Sequence, residues 1–66
     1  MEMVRVISDA MDSVGYDREK QQLFIKFKQG ETYQFCRVPE GIHQGLMSAS
    51  SKGSYYNDFI KDKFSC

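Results

Sequence analysis

Anion binding is the first chemistry this sequence offers. In "ASSKGSYYNDFIKDKF", residues 49–64, Lys52, Gly53 and Ser54 stand ahead of a run with helical periodicity. Free backbone N–H groups and the helix dipole favour an anion at such a start. Gly53 would let the backbone come close and Lys52 would add charge. Ser51 and Ser54 would add hydroxyl donors, and Asn57 sits one turn further in. The Gly-x-x-x-x-Gly-Lys pattern of a P-loop is absent. The same residues also read as an ordinary helix-to-helix junction, with Gly53 stopping one helix and Ser54 capping the next.

Other chemistries find less material. His43 is the only histidine, and no oriented partner is signalled for it. It falls beside the apolar stripe of its segment and is expected to face solvent. Cys36 and Cys66 lie 30 residues apart without a pattern. Free thiols are expected, and Cys36 has no sequence context that would lower its pKa. One histidine and two distant cysteines do not make a metal site. No enzyme is expected, and no cofactor. Tyr33, Phe35 and Phe24, beside Lys26 and Lys28, could stack unpaired bases if they lay on an open sheet face. A small core competes for the same rings.

Sixty-six residues allow one domain. A chain this short buries only about 60% of its unfolded surface, so its core needs large side chains. Five Phe, four Tyr and four Met provide them. Net charge is zero, which argues against massive non-specific nucleic-acid binding. The charges are segregated, however. Residues 1–17 set Arg5 against Glu2, Asp9, Asp12 and Asp17. Residues 18–37 set Arg18, Lys20, Lys26, Lys28 and Arg37 against Glu19 and Glu31. No apolar run approaches the roughly 18 residues of a membrane span, and the first residues lack a signal-peptide pattern. A cytoplasmic chain is expected.

The elements that would position these residues follow from periodicity. Residues 1–9 read as a lead-in, because "SDAMD" interrupts the apolar "VRVI". The domain proper is residues 10–66. Val14 and Tyr16 alternate with polar neighbours in a first strand. "DREK" is a turn. In "QQLFIKFK", Leu23, Ile25 and Phe27 share one face, while Phe24, Lys26 and Lys28 share the other. "ETYQFCRV" is the third strand. A two-residue turn at Gln29-Gly30 would force Gln29 to positive φ. A three-residue loop, Lys28-Gln29-Gly30, needs it only at Gly30 and ends in a G1 bulge. That loop sets Phe27 near Glu31, Ile25 near Tyr33 and Leu23 near Phe35, with both apolar sets on one face. Phe24, Cys36 and Val38 fall on a second, wetter face.

Pro39 and Glu40 suit a helix start. Ile42, Gly45, Leu46 and Ala49 form its apolar stripe, where Gly45 would permit close approach to the sheet. After Gly53, a second helix buries Tyr56, Phe59, Ile60 and Lys63 or Phe64. The expected fold is α+β: a three-stranded antiparallel meander followed by two short helices on one face.

With these elements placed, the chain resembles the KTSC family, a small domain named for the C-terminal region of some lysyl-tRNA synthetases and also found as a stand-alone bacterial protein. The resemblance rests on "SVGYD" at 13–17, "LFIKFKQG" at 23–30, "TYQF" at 32–35, "VPEGI" at 38–42 and "ASSKGSYYNDFI" at 49–60. The family's Tyr-x-Tyr stands here as Tyr33-Gln34-Phe35, without the second hydroxyl. The resemblance implies the fold, and through the tRNA enzyme it associates the domain with RNA. The expectation is a non-catalytic module that contacts RNA or other nucleic acid through Lys52, Gly53, Ser54 and Asn57, aided by Lys26 and Lys28. The alternative is a protein–protein or self-association module using a sheet edge or face.

Overall fold

The first half of "VRVI", Val4 and Arg5, lies in a fourth strand. The computed structural model describes residues 2–66. Its sheet has strands β1 (Met3–Arg5), β2 (Met11–Asp17), β3 (Gln22–Phe27) and β4 (Thr32–Phe35), antiparallel and in chain order. The polar "SDA" that interrupts the apolar pattern is a turn between two paired strands. The Ser8 hydroxyl accepts from the backbone N–H groups of Ala10 and Met11 at 3.1 and 3.2 Å. Val4 then pairs with Val14. The meander therefore has four strands rather than three, and residues 3–5 belong to the domain.

The β3–β4 turn follows the three-residue reading. Gly30 has φ 110°, and the Phe27 N–H donates to Glu31 O at 2.8 Å. Leu23 pairs with Phe35 and Ile25 with Tyr33. Val4, Val14, Ile25 and Tyr33 thus form one cross-strand row, and Tyr16, Leu23 and Phe35 another. The opposite face carries the rows Met3–Gly15–Phe24–Gln34 and Arg5–Ser13–Lys26–Thr32.

Val38 departs from the expected second face and is fully buried. Arg37 before it adopts φ 55°, a left-handed conformation that swings the chain across the sheet. Val38 N–H donates to Gln21 O, and Val38 O accepts from the Tyr16 hydroxyl. Helix α1 (Glu40–Ser48) starts after Pro39 and buries Leu46. Helix α2 (Lys52–Tyr55) runs straight into a π-helical turn, Tyr56–Ile60. The wider turn rotates the expected stripe. Ile60 is fully buried and Tyr56 half-buried, but Phe59 is turned outward. Leu46 and Ile60 join Met11, Val14, Leu23, Ile25, Phe35 and Val38 in the core.

Gly45 does permit a close approach, but to the second helix rather than to the sheet. A Cβ there would sit 2.7 Å from Cζ of Tyr55 and closer still to its hydroxyl. That hydroxyl donates to Ile42 O at 3.1 Å. The layer of short helices is therefore keyed by a ring resting on a bare backbone.

Candidate functional site

Helix α2 begins three residues earlier than the junction reading placed it, at Lys52. Ser51, not Ser54, is the N-cap: its Oγ accepts from the Ser54 N–H at 3.3 Å. Gly53 lies inside α2 and does not stop α1, which ends at Ala49. "SSKGS" offers three serines able to cap, and sequence periodicity does not choose among them. The N–H that an anion would have used at Ser54 is already taken. Lys52 Nζ donates to Ala49 O at 3.2 Å, satisfying a carbonyl at the end of α1. These bonds are junction chemistry.

Around that junction a cleft of about 630 Å³ opens. The β1–β2 turn, the β3–β4 turn and the start of α2 bring Arg5, Lys28 and Lys52 to its walls, together with Asp9 and Asp12. Arg5 lies 3.5 Å from Asp12. Lys28 reaches the cleft because its N–H donates to Ala10 O at 2.9 Å, fixing the hairpin end against the β1–β2 turn. Lys28, Lys52 and Gly53 thus line one cleft. Lys26 does not: it stands in the outer row of the sheet, next to the row of Phe24. Asn57 is exposed on the π-helical turn and is not among the cleft's lining residues. Arg5 joins the site without having been singled out, because the expected lead-in hid its strand.

The stacking platform also changes. Phe35 is buried, as a core ring should be. Tyr33 shares its face but sits on the outermost strand at 41% exposure, so the expectation of a core tyrosine fails at the periphery. Its hydroxyl donates to Glu31 Oε1 at 3.1 Å, and this bond, followed by the carboxylate's charge, pushes the phenol's pKa up.

His43 is half-buried rather than turned fully to solvent. Its ring stacks on Tyr16 with centroids 4.6 Å apart and planes 10° from parallel. Burial, the largest cause, lowers its pKa from the usual 6.5. Arg18 beside it bonds Glu40 at 3.0 Å. Tyr16 is occupied with Val38, so no base–nucleophile pair forms here. The cysteines are not free thiols. Cys36 and Cys66 form a disulfide across a separation of 30 residues. The bridge sets residues 61–66 beside β4, where the Cys66 sulfur lies 3.6 Å from Gln34 O. Among the described residues no group of three potential metal ligands occurs, and no helix is long and apolar enough to cross a membrane.

Residues 7–64 match the family model of the KTSC domain. The crystal structure of a KTSC domain protein from Yersinia pestis superposes with a TM-score of 0.93 at 43% identity, covering 96% of this chain and 89% of that one. A lysine–tRNA ligase of Nostoc punctiforme is 41% identical over 49 residues, which are 74% of this chain and 9% of the ligase. A protein of Tsukamurella paurometabola is 36% identical over 62 residues, 94% of this chain and 92% of its own length. The match in sequence spans nearly the whole chain, and the match in backbone spans the sheet and both helices: the chain belongs to the KTSC domain family.

Proposed function

We propose that this domain is a non-catalytic accessory module that contacts RNA through the cleft walled by Arg5, Lys28 and Lys52. One observation carries the reading: three cations distant in sequence are folded onto one cleft. The segment shared with a tRNA ligase supports it by association. Asp9 and Asp12 in the same cleft keep the attraction modest. Binding by so few cations is weak and falls steeply with salt. Cytoplasm remains the proposed location.

An amide NMR titration with tRNA and with single-stranded oligonucleotides at low salt tests this. Shifts are expected at residues 5–12, 28 and 50–53. Each of Arg5→Gln and Lys28→Gln should lower the slope of log affinity against log salt by about 1. Shifts confined elsewhere, or a slope unchanged in both variants, overturn the proposal.

A second reading has its own observation. Met3, Val4 and Ile7 are exposed, Ile7 at 97%, on and just beyond an edge strand. Such an edge pairs readily with another strand. Self-association through β1 would appear as a dimer in sedimentation, and a strict monomer removes it.

A further inference from the structure

At the opposite edge of the sheet from the basic cleft, β4, Tyr56 and residues 62, 64 and 65 line an open slot of about 240 Å³. Its walls are Tyr33, Phe35, Tyr56 and Phe64, and Asp62 supplies a carboxylate. Three features set it apart from a chance groove. The first is composition: four of its seven lining residues are aromatic, and Tyr56 packs edge-on against Phe35 at 69°. The second is charge: no cationic side chain lines the slot, while Asp62 lines it and Glu31 holds the Tyr33 hydroxyl at its rim. Burial, then the Tyr33 hydroxyl, then the Asp62 carboxylate push the Tyr56 phenol up, as expected where these groups share one space. The third is construction. Asp62 is held at φ 62°, a conformation rare outside glycine. The bond from Cys66 to Cys36 then fixes Phe64 and Ser65 as the outer wall.

We propose that this slot binds a quaternary ammonium group. The face of an aromatic ring is negative and attracts a cation set over it. Aromatic walls with one carboxylate suit a cation whose charge is spread over methyl groups and which donates no hydrogen bonds. A metal ion would need more oxygen ligands than the slot provides. The volume lies below the roughly 300–1,000 Å³ of drug-sized sites and suits a compact head group. The same head group occurs in choline-type small molecules and on trimethylated lysine side chains. The inference is independent of the basic cleft and rests on different residues.

The test is an amide NMR titration of the oxidised protein with choline, with free trimethyllysine and with the neutral isostere of choline, which carries a tert-butyl group in place of trimethylammonium. Shifts are expected at residues 33–35, 56 and 62–65. Both cations should bind roughly tenfold more tightly than the isostere. Asp62→Asn tolerates the left-handed backbone and should weaken the cations several-fold while leaving the isostere unchanged. Tyr33→Leu, at an exposed position, should weaken them similarly, and Lys28→Gln should change nothing. A trimethyllysine preference over choline assigns the source to a modified protein, and the reverse to a small molecule. Equal binding of isostere and cations, the absence of shifts in the slot, or indifference to Asp62→Asn overturns the proposal.

Discussion

The two edges of the sheet are treated in opposite ways. β1 is three residues long, solvent-exposed and apolar at Met3 and Val4. Its protection against pairing is brevity and the Arg5 charge. β4 is flanked by residues 61–66, tied in place by a covalent bond. The chemistry beside each edge differs in sign. Arg5, Lys28 and Lys52 stand near the first, and Asp62 and Glu31 with a set of aromatic rings stand near the second. A chain of zero net charge thus gathers three cations beside Asp9 and Asp12 at one edge, and carboxylates among aromatic rings at the other. Overall charge is a poor guide to what a small domain can attract; placement decides.

The disulfide offers the sharpest way to test that contrast. Closing a loop of this length should stabilise the fold by about 3–4 kcal/mol on the chain-entropy account. The double variant Cys36→Ser/Cys66→Ser is expected to lose that amount in urea denaturation. Hydrogen exchange should quicken at residues 61–65 and along β4, while β1 and the basic cleft keep their protection. Equal loosening at both edges would mean that the bridge supports the whole fold and not one side of it.

Gly45→Ala is the counterpart that should not discriminate. The added methyl collides with the Tyr55 ring, which is itself bonded to Ile42 O. Overpacking of this kind costs about 1–3 kcal/mol. Because Leu46 of α1 lies in the core and Ile42, Met47 and Tyr55 pack against it, thermal melting should fall without favouring either edge. A neutral result would show that the Tyr55 ring swings aside.

The smallest effect is expected from pH. Burial depresses the His43 pKa in the folded state. The unfolded chain therefore takes up its proton first as pH falls below about 6.5. Stability from this group is complete above that value and is lost as pH drops through the folded-state pKa. Melts between about pH 8 and pH 5 should show this slope, and His43→Phe, which keeps a ring against Tyr16, should flatten it. The basic cleft and the slot lie away from this corner, so neither should respond to the substitution.

What could be read from sequence depended on whether one residue type forced one geometry. The β3–β4 register was legible because Gly30 alone could take a positive φ, and alternation then placed Leu23, Ile25 and Phe35 together. Arg37 and Gln21 also adopt left-handed conformations, at φ 55° each, but no side chain announces it. Val38 consequently reached the core from a position that alternation assigned to the other face. The polar run at Ser8–Ala10 looked like an ending when it was a turn, so β1 and with it Arg5 stayed hidden. Among the site residues, Lys28 and Lys52 were legible as cations and their meeting was not. It depends on a hairpin end docking against Ala10, a long-range contact. The aromatic slot had no local signature at all. Its residues come from β4, the π-helical turn and the segment beyond it, and the bridge that closes it joins two cysteines without a pattern.

The bridge also changes what a break in the chain means. Cys36 and Cys66 turn residues 36–66 into a ring, with the four strands as a linear arm leading into it. The exposed Ser50–Ser51 turn lies within that ring. A single cut there opens the circle without releasing a fragment, and the nicked molecule keeps both helices attached to the sheet. Only a second event, loss of the sulfur–sulfur bond, would free the piece carrying α2, while α1 stays joined to β4 through the main chain.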